Sequence, residues 1–249
     1  MQPHGPTGIP GPSYQPTARC RRRPQEGCGS APKRCRMPDM TESPRIRPYR
    51  REDRPALDDI CVRTAHNGED SRPHYTDPGV FPDTFAAPYV YLEPELAFVL
   101  DDGRGRAVGY IVGTADTVRF ARDFRAAWLP LVGDRHPDPS GPPATPDETI
   151  ARLLHHPERM IVPELAPWPA HLHIDLLPGW QGRGYGRRLM LTFLEALRDA
   201  GVPAVHLVMA KANKPARGFY DRMGFEEIEV PMDDSVVCLG RTTHDLDGV

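Results

Sequence analysis

Lysine is nearly missing from this chain of 249 residues: Lys33, Lys211 and Lys214 are the only three among 31 basic residues. The rest is arginine, a compositional bias of the kind a GC-rich genome produces. Neither sign of charge dominates, and a net charge of −3 gives no electrostatic reason to expect a nucleic-acid partner. Long apolar runs are absent too. No stretch reaches the ~18 residues that read as a membrane span, and the N-terminus lacks the apolar core of a secretory signal. Cysteine is scarce and shows no pairing pattern. The five, Cys20, Cys28, Cys35, Cys61 and Cys238, form no C-x-x-C motif. An odd number at irregular spacing argues against a disulfide framework and fits a reducing, cytoplasmic setting. Cys20, Cys28 and Cys35 match no zinc spacing and have no clustered histidine beside them, so no metal is expected.

Proline is abundant, at 30 residues, and much of it sits early. Residues 1–43 are Pro/Gly/Arg-rich with few apolar anchors and read as a disordered tail. Within it, "MTESPRIRPY" from Met40 also reads as an alternative start. The globular part is expected over 44–246. "RIRPY" alternates like a strand. "REDRPALDDICVRTAH" is an amphipathic helix with Leu57, Ile60, Cys61 and Ala65 on one face and acidic residues in its first turn. Asn67–Asp83 reads as a Pro/Asp/Gly loop. Leu96–Leu100 and Ala107–Thr114 form a hairpin across a turn rich in Asp and Gly. "TVRFARDFRAAWLPLV" is helical as far as Pro130, and "DETIARLLHH" is a short helix capped by Thr145 or Asp147.

The last third carries the sharper signals. "AHLHIDLLP" sets His171, His173 and Asp175 against Leu172, Ile174 and Leu176, a strand with one apolar face. A helix follows, with Leu189, Met190, Phe193, Leu194 and Leu197 at helical spacing and Gly201 as its stop. Then come a strand ("AVHLVMA"), a short helix ("KPARGFYDRMG") and two strands ("FEEIEV", "SVVCLG"). The order from Pro169 is β–α–β–α–β–β, an α/β (α+β) domain without an internal linker.

Between the first of these strands and its helix lies "LLPGWQGRGYGRRLMLTF", with Gly182, Gly184 and Gly186 at alternate positions. A glycine-rich turn leaves N–H groups uncovered, and the helix start adds its own unpaired N–H groups and positive dipole end. Together they suit a phosphate-bearing ligand. The spacing is not the dinucleotide G-x-G-x-x-G, and no lysine is placed for a P-loop.

What remains, Gln181–Gly186 as Q-G-x-G-x-G after a strand and a proline, resembles the acyl-CoA loop of the GNAT N-acetyltransferases. "NKPARGFYDRMGF" (Asn213 to Phe225) is similar to that superfamily's N-x-x-A-x-x-[F/L]-Y-x-x-x-G-F. Over about Pro44 to Thr243 the chain also resembles the acetyltransferase-like domain that ends the eukaryotic O-GlcNAc hydrolases, and its free-standing bacterial relatives. "IRPYRREDRPALDDIC", "AFVLDDGRGRAVGYIVGTADTVRFARDFRAAWLPLV" and "VVCLGRT" carry that likeness. In the animal domains the glycine loop is degraded; here it is intact.

The resemblance implies a GNAT fold: a mixed central sheet splayed between two adjacent strands, with helices on both faces. It implies acetyl-CoA as donor, with the backbone of Ile174, Asp175 and Leu176 pairing with pantetheine. The N–H groups of Gln181, Gly182, Arg183, Gly184, Tyr185, Gly186 and Arg187 would surround the diphosphate. A side chain at Gly184 or Gly186 would collide with phosphate or strain the turn. Arg183, Arg187 and Arg188 either add charge or are solvated helix arginines. Tyr220 matches the tyrosine that protonates the departing sulfur, against the plainer reading of a packing aromatic. Asn213 matches a cofactor-bonding residue and is equally a helix N-cap. For the base, Asp175 is the first candidate, either catalytic or simply hydrogen-bonded; His173 and His206 are weaker. Many relatives carry glutamate where this chain has Val208. The implied activity is N-acetylation of a small-molecule or peptide amine by direct attack in a ternary complex. The other reading is a non-catalytic acyl-CoA- or protein-binding module. The segments Asn67–Pro94 and Gly133–Pro169 are expected to wall the acceptor side, and no feature fixes an oligomeric state.

Overall fold

Seven apolar-patterned runs form one sheet in the computed structural model, which describes residues 43–246. The tail with Cys20, Cys28 and Cys35 lies outside the described residues. The strands are β1 (Arg45–Pro48), β2 (Ala97–Asp101), β3 (Ala107–Thr114), β4 (Ala170–Leu176), β5 (Ala204–Ala210), β6 (Glu226–Ile228) and β7 (Val236–Thr242), ordered β1-β2-β3-β4-β5-β7-β6. All neighbours are antiparallel except β4 and β5. That parallel pair is short: Ala170 aligns with Val205 and His171 with His206, and the strands then part. The mixed, splayed sheet expected from the resemblance is present.

Helices cover both faces. One face carries α1 (Arg54–Val62), α2 (Val80–Phe85), α3 (Ala87–Leu92) and α4 (Thr117–Asp123). The chain runs on through α5 (Leu129–Val132) and α6 (Pro146–His155), and Thr145 supplies the α6 cap, its hydroxyl accepting from the Glu148 N–H. α7 (Tyr185–Asp199) lies across β1–β4 on the other face, and α8 (Lys214–Arg222) precedes β6.

α7 shows how the pattern makes the element. Leu189, Met190, Phe193, Leu194 and Leu197 are fully buried on one stripe. Each such side chain stabilises the fold by roughly 1.5–3 kcal/mol on removal from water. The helix ends at Ala200, and Gly201 at φ +74° takes the left-handed stop. Phe193→Ala would lose about 3–5 kcal/mol. The stripe sits close because β3 offers no side chain at Gly113. A Cβ there would lie 2.4 Å from both the His171 carbonyl oxygen and Phe193 Cζ.

Three local expectations are corrected. Asn67–Asp83 is not loop to its end, since α2 starts at Val80 and α3 follows directly. Helical structure does not stop at Pro130; a π-helical turn over Phe124–Trp128 absorbs an extra residue and leads into α5, where Pro130 sits in the first turn and needs no N–H partner. Asp53 does not serve the dipole of α1. It is buried against Arg47, with Nη1 2.6 Å and Nη2 2.8 Å from its two oxygens, while Arg47 Nε reaches Asp101 Oδ2 at 2.8 Å.

Candidate active site

The candidate residues gather around the gap that opens between β4 and β5 beyond His171 and His206. Leu177 N–H bonds the Val108 carbonyl on β3, so alternation of the antiparallel ladder turns Asp175 and His173 backbone groups toward β3 as well. The backbone groups of Leu172, Ile174 and Leu176 then face the β5 side, where no strand meets them beyond His171. The backbone groups of Ile174 and Leu176 therefore face the gap, whereas those of Asp175 do not. Its contribution is the side chain.

At the end of β4 the chain turns through Pro178–Trp180 into the glycine loop. Gln181 Nε2 donates to the Leu176 carbonyl at 2.8 Å, fixing the loop to the strand end. Gly182 (φ +69°) and Gly184 (φ +81°) are left-handed, and a Cβ at either would meet nothing within 4 Å. Their glycine identity is thus set by backbone conformation, over open space. Gly184 is the N-cap of α7, and the first helical bond runs from Arg188 N to its carbonyl. Tyr185 and Gly186 consequently have N–H groups with no partner inside the helix. Gly186 differs from its neighbours: it lies within the helix, and a Cβ there would sit 3.3 Å from Phe219. Packing of α7 on α8 accounts for this glycine, not the strain of the turn. Arg183 lies over the Trp180 ring at 6.0 Å and Arg188 over Tyr185 at 5.6 Å.

Tyr220 projects from α8 with its ring packed between Phe219 and Phe225, at 5.2 and 5.5 Å. It is buried, and burial together with the nearby Asp175 charge pushes its phenol pKa up. It therefore stays protonated at neutral pH. Asn213 caps α8, its Oδ1 accepting from the Ala216 N–H at 3.2 Å.

Asp175 is half-buried and accepts from the Tyr110 hydroxyl at 2.6 Å. Burial raises its pKa, while the Tyr110 and Thr64 hydroxyls pull it back down in part. Tyr110 itself is fully buried beside Cys61. Sequence reading missed Tyr110: it sits in the apolar run "AVGYIVG", and a lone hydroxyl among valines and isoleucines was its only signal.

The face shared by His171, His173 and Asp175 is not an open polar face; α3 and α4 cover its start. Thr117 Oγ1 donates to the Pro169 carbonyl (2.8 Å), which leaves it to accept from His171 Nδ1–H (2.7 Å). His171 Nε2 then accepts from the Tyr89 hydroxyl at 2.7 Å. Burial holds this ring neutral, well below the ordinary imidazole pKa. His206 is similarly committed, its Nδ1 donating to the Trp168 carbonyl at 2.7 Å. His173, two residues nearer the splay, stands edge-on to Phe85 (5.5 Å) and Tyr89 (5.3 Å), and burial lowers its pKa to about 4. Val208, on the same face of β5, is exposed at 44 %. The two segments expected to wall the acceptor side are tied to each other: His136 bonds Asp77 Oδ2 at 2.7 Å and Asp83 Oδ2 at 2.8 Å. Among the described residues no group of side chains is arranged to hold a metal ion, and no helix is long and apolar enough to cross a membrane.

A sheet opened at a parallel pair, with a glycine loop leading into a helix beside the opening, defines an acyltransferase-type architecture. Residues 62–225 match the Acetyltransferase (GNAT) family, and the chain belongs to that family. The crystal structure of SsHAT is 69% identical, covers 81% of this chain and 99% of its own, and superposes with a TM-score of 0.79. Protein O-GlcNAcase of Rattus norvegicus is 26% identical over 203 residues, 79% of this chain. This chain spans only about a fifth of that relative's length, 22%. Mycothiol acetyltransferase of Nocardiopsis dassonvillei is 50% identical over 48 residues, 19% of this chain and 14% of its own.

Proposed function

We propose that the protein is an acetyl-CoA-dependent N-acetyltransferase that passes the acetyl group directly to an amine. The observation that carries this reading is the gap between β4 and β5 opening onto the left-handed glycine loop at the start of α7. The donor set fits the group: the outward N–H and carbonyl of Ile174, with the N–H of Leu176, suit an amide-bearing chain laid along the strand. Exposed backbone over Gly182–Gly186 suits a diphosphate. Acetyl-CoA supplies the activated acetyl thioester; in the transfer the C–N bond forms, the C–S bond breaks and the thiolate leaves.

The chain's own residues handle the protons. Tyr220, neutral and aimed from α8, donates to the leaving sulfur as general acid. Asp175, its pKa raised by burial, accepts a proton from the incoming amine directly or through water, and Tyr110 holds its carboxylate in one orientation. Kinship with mycothiol acetyltransferase supports acyl transfer as the reaction class.

Calorimetry tests the donor site. Wild type is expected to bind acetyl-CoA and Gly184→Asp to lose binding, because the substitution strains a left-handed position and sets a carboxylate among N–H donors. Unchanged affinity in the variant would remove the basis of the assignment. Binding without thiol release across a broad amine and peptide panel would favour a non-catalytic module.

A further inference from the structure

The two segments expected to wall the acceptor side meet at one buried ring. His136 follows the turn Gly133–Arg135, with Nδ1 2.7 Å from Asp77 Oδ2 and Nε2 2.8 Å from Asp83 Oδ2. An ionised carboxylate only accepts hydrogen bonds, so the ring donates from both nitrogens and is an imidazolium. Its two partners differ. Asp83 lies in α2, 7 % exposed, and faces Arg135 Nη2 at 3.1 Å and Arg54 Nη2 at 3.6 Å. Asp77 lies in the loop before α2, 51 % exposed, and its other oxygen accepts from the Gly79 N–H at 3.1 Å.

Every element packed on the ring brings charged or titratable groups. α1 brings Arg54, itself bonded to Asp58, and Arg135 precedes the ring in its own turn. α6 brings Asp147, whose carboxylate accepts from the Asp77 N–H at 2.7 Å, and His155, whose Nε2 donates to the His136 carbonyl at 2.7 Å. The ring's backbone is thus tied to α6. α2 is held a second time where Trp128 Nε1 donates to the Asp83 carbonyl at 2.8 Å. A neutral imidazole has a single N–H. Loss of one proton therefore sets a bare ring nitrogen against a carboxylate oxygen, lone pair to lone pair. Asp83 has no water to turn to, and leaving it unpaired is costly. Asp77 does have water, so its bond is the one that breaks.

We infer that His136 is a proton-operated latch: as imidazolium it clasps loop 67–79 to the turn Gly133–Arg135, and as neutral imidazole it frees the loop at Asp77 while keeping hold of α2. A line of rings carries this to β4. Tyr75 of the loop stands edge-on to Phe81 at 4.6 Å, Phe81 lies 6.3 Å from Phe85, and Phe85 is edge-on to His173 at 5.5 Å, on the face that carries Asp175. Release of the loop unseats the first ring of that line. On the acetyltransferase reading the acceptor side is then closed at low pH and looser at high pH; only this consequence rests on that reading.

NMR on the full chain between pH 6 and 9 tests the latch, with ¹⁵N shifts reading the ring and amide exchange reading the loop. At pH 6 both His136 nitrogens should carry protons. As pH rises, one proton should be lost, and protection of the Thr76, Asp77 and Gly79 amides, corrected for intrinsic rates, should fall in step. The Ala86 amide, bonded to the Pro82 carbonyl in α2, should keep its protection. Asp77→Ala should give the released level at every pH. Asp77→Asn should remove the step, because an amide offers oxygen to a ring N–H or its own N–H to a bare nitrogen. A ring with one protonated nitrogen at pH 6, a ring that keeps both through pH 9, protection that ignores the ring's titration, or a wild-type step in either variant overturns the latch. None of these readouts uses turnover, so the latch stands or falls apart from the acetyltransferase reading, which acetyl-CoA calorimetry decides.

Discussion

Tyr220 shows what a single side chain contributes here. Its ring is core, packed with Phe219 and Phe225, and only the hydroxyl is left for chemistry. Tyr220→Phe keeps the packing and removes the proton. Turnover measured by thiol release should fall about 10²–10⁴-fold, with acetyl-CoA affinity and thermal midpoint nearly unchanged; full turnover in the variant would return Tyr220 to a packing role. Tyr220 is legible as a candidate because motif spacing marks it, and Asp175 because it lies on the strand face beside the expected splay. Tyr110 is not legible. Its bond to Asp175 comes from pairing across β3 and β4, a relation that is not local in sequence, so no pattern within a window reveals it.

At the level of elements, glycine does two different jobs in this molecule. Gly182 and Gly184 supply left-handed turns over open space, whereas Gly113 clears room for α7. Gly113→Ala must push apart a backbone carbonyl and Phe193, neither able to yield cheaply. We expect a loss of about 1–3 kcal/mol in urea denaturation; a variant as stable as wild type would mean α7 sits less tightly than its burial indicates. The succession β4–α7–β5–α8–β6–β7 was readable because each element is bounded by glycine or by a cap. α2 and α3 were hidden, since Pro78, Pro82 and Pro88 crowd the segment and interrupt the helical period. The continuation past Pro130 was hidden for another reason: a π-helical turn changes the register, and a period of 3.6 cannot anticipate it.

Over the whole molecule, the buried histidines set how stability responds to acid. Burial lowers the pKa of His171, His173 and His206 below the ordinary 6.5, for His173 to about 4. Between those limits the unfolded chain binds protons that the folded chain refuses. Stability is therefore full above pH ~6.5 and lost as pH falls toward 4, by at most about 1.4 kcal/mol per pH unit for each ring. Urea midpoints at pH 7.5 and 5.0 should differ accordingly; coincident midpoints would show that the rings take up protons inside the folded state. The same neighbourhood has a mechanical consequence. Two residue pairs are the whole seam between β4 and β5, so β1–β4 with α7 form one page of a book and β5–β7 the other, bound at a spine of Ala170–Val205 and His171–His206. A change on either page disturbs that page, but a change at the spine resets the angle at which both stand open.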